Sequence, residues 1–131
     1  MTGPYEGGSI DKILAIESRG FIFGGAMARC LGCGLVLARK PDRLPAETIR
    51  EEYTLEYGTN ALEIHSDSIQ ENDRVVIVDD LLATGGTALA SIRLVERLKG
   101  IVVGLEFLIE LDFLKGRDRI RQYPVHSQLH Y

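Results

Sequence analysis

Two adjacent acidic residues, Asp79 and Asp80, end an apolar run of this 131-residue sequence, and a glycine-containing turn follows them. A buried carboxylate needs polar partners, so packing alone does not explain two of them side by side. The glycines of the turn let the backbone approach a ligand closely. Backbone N–H groups at the start of a helix suit a phosphate, while carboxylates accept hydrogen bonds from sugar hydroxyls. Together these groups predict a site for a ribose 5-phosphate. The turn consists of Ala83, Thr84, Gly85, Gly86 and Thr87.

Other interpretations of this turn agree less well with the sequence. A Walker A loop needs a lysine after its second glycine, where this turn has Thr87. A dinucleotide-binding loop needs G-x-G-x-x-G, which the segment GFIFGG does not match. The turn could also be a plain connection from strand to helix with Thr87 as the N-cap. That interpretation leaves the two acids unexplained.

The composition of the chain limits the kinds of molecule that it can bind. The net charge is −4, with 45% hydrophobic and 26% charged residues, so we expect one folded domain over residues 1–131 that does not bind nucleic acid. No apolar run has the length of a membrane span, and the start MTGPYEGG does not resemble a signal peptide. We therefore expect a cytoplasmic protein without membrane contact. An anionic ligand would have to be held by local donors.

Cys30 and Cys33 form a C-x-x-C pair, which in other proteins is a redox or metal motif. Here the pair follows an apparent helix, so the helix dipole would not lower the thiol pKa. A zinc site needs two further ligands, and His65, His126 and His130 lack the usual spacing. We expect two structural thiols.

The candidate ligand-binding residues lie between predicted strands and helices. Apolar runs of strand length occur at 12–16, 35–38, 74–78 and 101–109, and helical patterns occur at 21–30, closed by Gly32 and Gly34, and at 87–98. The order strand, helix, strand favours right-handed parallel crossovers. Continuous apolar strands are typical of a parallel sheet that is covered on both faces. The polar segment 115–122 is expected to be briefly helical. The sequence therefore predicts an α/β fold with a mostly parallel central sheet flanked by helices.

A polar segment between these units has a different pattern. From Thr48 the residues alternate between an apolar and a polar face, and the residues 58–60 (GTN) suit a turn. We predict an antiparallel β-hairpin within a flexible lid over residues 39–66.

Several motifs together resemble a known family. The segment VVIVDDLLATGGT is similar to the phosphoribosyl pyrophosphate (PRPP) motif of the type I phosphoribosyltransferases. SRGF, RKP..LP..T, YxLEYG and LLATGGT resemble the adenine-specific branch, in the family order from Ile16 to the C-terminus. The resemblance implies a type I phosphoribosyltransferase fold and the reaction of adenine with PRPP to AMP and pyrophosphate, in purine salvage. The alternative is a non-catalytic module that binds PRPP or a nucleotide.

The resemblance also implies roles for the residues that bind PRPP. Asp79 and Asp80 would contact the ribose hydroxyls, and the turn 83–87 would hold the 5-phosphate. Pyrophosphate would lie at Ser18 and Arg19, after a Glu17–Ser18 peptide that is often cis in similar enzymes. Mg²⁺ would arrive with PRPP rather than on protein ligands. The further pyrophosphate-binding cations would be Arg39, Lys40 and Arg43.

The resemblance is less complete for the residues that would bind the purine than for those that would bind PRPP. By resemblance, Glu56 would handle the purine proton, Tyr57 would assist it, and Leu111 and Ala83 would contact adenine. A homodimer is expected, with Arg39 acting in its own subunit or across the dimer. In the family a further segment precedes the first strand and carries an F-R-D-like motif over the purine, whereas only MTGPYEGGSID stands before Lys12 here. We therefore expect this chain to bind PRPP better than it uses adenine, and to be less active and less stable than longer relatives.

Overall fold

The computed structural model describes residues 1–55 and 57–131. Over residues 12–110 the strands and α-helices follow the predicted order, and short 3-10 turns lie before them at Gly3–Tyr5 and after them at Asp112–Leu114 and Gly116–Arg119. The elements are β1 (Lys12–Ile16), α1 (Gly20–Leu31), β2 (Gly34–Ala38), β3 (Thr48–Leu55), β4 (Gly58–His65), β5 (Arg74–Leu82), α2 (Gly86–Arg97), β6 (Ile101–Glu110) and β7 (Val125–His130).

The central sheet is parallel throughout, with the strand order β2-β1-β5-β6-β7. Alternate residues of β5 face opposite helices: Val76 and Val78 pack with Met27 of α1, whereas Val75 and Ile77 belong to the core beneath α2. The apolar runs are therefore buried on both faces, as predicted. Because the strands are parallel, their carboxyl ends share one edge of the sheet.

Helix α1 lies close to the sheet because of Gly24. A Cβ at Gly24 would lie 2.5 Å from the Cβ of Ala15 in β1, which is closer than two carbon atoms can approach. The helix ends at Gly32, which takes a left-handed conformation with φ of 67°, as its sequence position predicted.

The hairpin forms a separate two-stranded antiparallel sheet. The turn predicted at 58–60 is wrong, because these residues lie in β4 and Asn60 pairs with Tyr53. The strand pairing continues to Leu55 and Gly58. It therefore gives hydrogen-bond partners to backbone groups that the predicted turn would have left without them. Arg97 of α2 donates to the carbonyl of Arg50 at 2.5 Å, which fastens the hairpin to the domain.

Two other boundaries differ from the prediction. Strand β5 continues through Asp79 to Leu82, since β6 pairs with it along this whole length. Strand β7 was not predicted, because the segment VHSQLH is mostly polar and occupies the sheet edge with one neighbour. The briefly helical segment predicted at 115–122 is confirmed as the 3-10 turn Gly116–Arg119.

Both cysteines are free thiols, with Cys30 exposed and Cys33 half-buried. Burial raises the pKa of the Cys33 thiol, and nearby Asp11 raises it further. This is the reverse of the shift that makes a thiol reactive. Within the described ranges, no helix has the length and apolar character that crossing a membrane requires.

Candidate functional site

A cavity of about 260 Å³ opens at the carboxyl edge of the sheet, between the ends of β1 and β5, the start of α2 and the hairpin. It brings together nine of the predicted site residues: Arg19, Lys40, Asp79, Asp80, Ala83, Thr84, Gly85, Gly86 and Thr87.

The two acids at the end of β5 meet different surroundings. Asp79 is 8% exposed, and its Oδ1 accepts the backbone N–H of Asp80 at 2.8 Å. Burial raises the pKa of Asp79 to about 8, and the neighbouring Asp80 carboxyl adds to the rise, whereas the Asp80 N–H and Arg19 oppose it. Burial therefore favours the protonated form of the Asp79 carboxyl.

Asp80 pairs instead with Arg19, whose Nε lies 2.5 Å from the Asp80 Oδ2. The hydrogen bond to Asp80 and the charge of that carboxylate raise the pKa of Arg19. The Arg19 side chain is 72% exposed, so a fixed cation stands at the mouth of the cavity. The Glu17–Ser18 peptide bond that precedes it is cis, as predicted.

The predicted phosphate turn forms the start of α2. Gly85 is the N-cap, with a φ of 88° that favours glycine, so Thr87 is not the cap. No side chain caps this helix start, and Gly86 and Thr87 line the cavity. Unpaired N–H groups and the positive end of the helix dipole are thus available to an anion.

Glu17 organises the basic residues on the opposite wall. Its Oε1 accepts the Nε–H of Arg39 at 3.1 Å and the backbone N–H of Lys40 at 3.0 Å, and its Oε2 lies 3.6 Å from the Arg43 Nε. Lys40 lines the cavity, whereas Arg39 and Arg43 contact Glu17 from outside the lining. One carboxylate therefore holds the side chains of Arg39 and Arg43 and the backbone of Lys40.

Of the residues predicted on the purine side, Ala83 lines this cavity, whereas Tyr57 and Leu111 do not. Tyr57 is 92% exposed, and Leu111 donates its N–H to the carbonyl of Leu82 at 3.0 Å, just outside the lining. Ser18 also stands outside the lining. Glu56 lies outside the described residues.

Sequence reasoning missed several residues of the walls. Glu17 precedes a predicted turn and gave no signal of its own. Tyr53 and Thr54 of β3 and Phe107 of β6 also line the cavity. Tyr53 could have been found, because the strand alternation places it on the apolar face of the hairpin.

One described cluster has the residue types of a metal site, away from this cavity. Ligand atoms of Glu110, Asp112 and His130 lie within 4.8 Å of one another. However, the Glu110 carboxylate already accepts hydrogen bonds from Arg117 and Ser127. We assign no metal to this cluster.

The chain is similar to one group of known proteins. Residues 5–128 match the phosphoribosyl transferase domain. An adenine phosphoribosyltransferase of Natranaerobius thermophilus is 56% identical over 125 residues, which cover 95% of this chain and 73% of the relative. The solved adenine phosphoribosyltransferase of Rhodothermus marinus has a TM-score of 0.96 at 52% identity and covers 99% of this chain and 74% of that one. The enzyme of Saccharomyces cerevisiae, solved with adenine and an imino-altritol bisphosphate, has a TM-score of 0.92 at 42% identity over 98% of this chain and 72% of that one.

Proposed function

This chain belongs to the adenine phosphoribosyltransferase family, and we propose that its cavity joins adenine to the phosphoribosyl group of PRPP. In this reaction the bond from ribose C1 to pyrophosphate breaks, N9 of adenine forms the new bond to C1, and the purine loses a proton. The products are AMP and pyrophosphate. The observation that carries the proposal is the meeting of two adjacent acids, a helix start without a side-chain cap and an arginine paired with one of the acids in one cavity.

We propose that Asp79 and Asp80 hold the ribose while the turn 83–87 holds its 5-phosphate. Carboxylates accept hydrogen bonds from the 2′ and 3′ hydroxyls. Asp80, which is paired with Arg19, also stabilises positive charge that develops at C1 as pyrophosphate leaves. Because both acids are fixed at the end of a buried strand, they need little rearrangement during the reaction.

Pyrophosphate would bind at the turn around Ser18, with Arg19 and Lys40 as cations in the cavity lining. Arg39 and Arg43 would bind pyrophosphate by breaking their ion pairs with Glu17, because pyrophosphate carries more negative charge than one carboxylate. Mg²⁺ would enter on the phosphate oxygens of PRPP and neutralise charge on the leaving group. The lining fits an ion that arrives in this way, because Asp79 and Asp80 offer oxygen atoms to the waters that Mg²⁺ keeps.

Adenine would lie under the hairpin, in the direction of Ala83 and Leu111. Glu56 would accept the purine proton as N9 attacks, with Tyr57 beside it. The segment 39–66 would act as a lid that excludes water, which otherwise competes with adenine for C1. The placement of Tyr53 and Thr54 against the start of α2 supports a hairpin that closes over the phosphate turn.

Calorimetric titration with PRPP and Mg²⁺, followed by turnover with adenine, guanine and hypoxanthine, tests this proposal. We expect PRPP binding and AMP formation with adenine as the preferred base. Binding without turnover would identify the chain as a non-catalytic PRPP-binding module instead.

We also propose a homodimer that pairs through α1, where Ile22 is 71% exposed despite its large apolar side chain. Gly24 packs against β1 of its own subunit. The helices of two subunits would therefore have to meet through the exposed side of α1. Light scattering at micromolar concentration should give twice the chain mass, and a monomer would contradict the proposal. The cytoplasmic location stays a prediction.

A further inference from the structure

The turn Gly116–Arg119, called the brace below, lies directly against the phosphate turn. A Cβ at Gly116 would lie 2.3 Å from the carbonyl oxygen of Ala83 and 3.0 Å from the backbone nitrogen of Gly85. In the other direction, a Cβ at Gly85 would lie 2.8 Å from the Gly116 carbonyl oxygen. The two backbones therefore meet with no room for a side chain between them.

Arg117 fixes the brace to the sheet. Its Nη2 and Nε donate to the two oxygens of Glu110 at 2.6 and 3.1 Å, and its Nη1 donates to the carbonyl of Val125 at 2.7 Å. Ser127 donates its hydroxyl to the same Glu110 carboxylate at 2.7 Å. Glu110 is 4% exposed, and Arg117 holds the pKa of this carboxyl below its ordinary value. A bidentate pair of this kind, with a buried carboxylate, sets both position and orientation.

A second contact lies at the other end of the brace. The Arg119 Nη1 donates to the carbonyl of Thr84 at 3.3 Å. The phosphate turn thus touches the brace at Ala83, Thr84 and Gly85, while Gly116 and Arg117 stand outside the cavity lining.

We propose that Gly116 and Arg117 are positioning residues for the 5-phosphate, an inference that rests on the proposed function. The phosphate turn has no side-chain cap to hold it, so its N–H groups depend on outside contacts for their direction. The brace supplies these contacts and links them through Arg117 to β6 and β7. Displacement of binding groups by about 1 Å can cost about 100-fold in rate, so this support matters for a site that works by orientation.

Gly116→Ala tests the contact, because Gly116 does not have a positive φ and alanine changes only the space. We expect the Kd for ribose 5-phosphate and the KM for PRPP to rise about tenfold or more, with the KM for adenine within about twofold of wild type. Gly3→Ala is the matched control, since nothing lies within 4 Å of a Cβ there. It should leave all three constants unchanged.

Arg117→Lys provides a second test that keeps the buried charge paired. Lysine cannot make the two parallel bonds to Glu110, so this variant should weaken ribose 5-phosphate binding in the same direction but less than Gly116→Ala. Thermal unfolding of each variant shows whether it is folded. If Gly116→Ala does not fold, the result for Arg117→Lys tests the inference. A folded variant with unchanged ribose 5-phosphate and PRPP constants overturns the inference. Equal losses for PRPP and adenine would do so too, because they indicate a general structural defect. Absence of AMP formation by wild type would instead count against the proposed function.

Discussion

At the scale of single residues, Asp79 and Asp80 are neighbours in sequence with different physical states. Asp79 is buried, which raises its pKa to about 8, whereas Asp80 is paired with Arg19. The adjacent pair alone could not predict this difference, because it depends on which side chain β5 and α1 cover.

The raised pKa of Asp79 predicts a pH-dependent stability. Its ordinary pKa is 3.8 and its folded pKa is about 8, so between these values the folded chain holds a proton that the unfolded chain has lost. The stabilisation from this proton is complete below about pH 4 and is lost as pH rises to about 8, at roughly 1.4 kcal/mol per pH unit. Urea unfolding from pH 5 to 8 should show this decline for wild type and a flatter profile for Asp79→Asn. Parallel profiles would show that Asp79 is charged in the folded protein.

Glu56 is the proposed base for the purine proton. Glu56→Gln should lower kcat by about 10²- to 10⁴-fold while the affinity for PRPP stays the same, since loss of a general base affects the chemical step. The control is Glu52→Gln, an exposed acid of β3 on the same hairpin. If both variants keep wild-type turnover, Glu56 is one more hairpin acid.

At the scale of elements, the continuous apolar runs made the parallel strands β1, β5 and β6 predictable. The edge strand β7 and the hairpin turn were not predictable, because pairing with a neighbouring strand, and not the local residue types, determines both of them. The same limit applies to the site. The acids and the phosphate turn are contiguous in sequence and were predicted, whereas Glu17 and Gly116 act through contacts with distant segments.

The close packing of α1 on β1 predicts opposite effects for two neighbouring glycines. Gly24→Ala places a methyl group 2.5 Å from the Ala15 Cβ, so overpacking should cost about 1–3 kcal/mol of unfolding free energy despite better helix propensity. Gly25→Ala meets nothing within 4 Å and should stabilise the helix by roughly 0.5–1 kcal/mol. Denaturant unfolding of both variants checks the pair. Equal stability would mean that α1 stands farther from the sheet.

At the scale of the whole molecule, the parallel sheet assembles the site. Residues near position 18 and near position 80 meet because β1 and β5 are adjacent and end at the same edge. The brace adds β6 and β7 to this arrangement, so four of the five strands position groups around one cavity. The hairpin closes the remaining side, with Tyr53 and Thr54 in the wall.

A crystal structure of the chain with AMP and pyrophosphate tests the assignment of this cavity most directly. We expect the 5-phosphate on the N–H groups of residues 83–87, the ribose hydroxyls on Asp79 and Asp80, and pyrophosphate beside Arg19. A nucleotide bound elsewhere, or a phosphate that does not contact the start of α2, would contradict it.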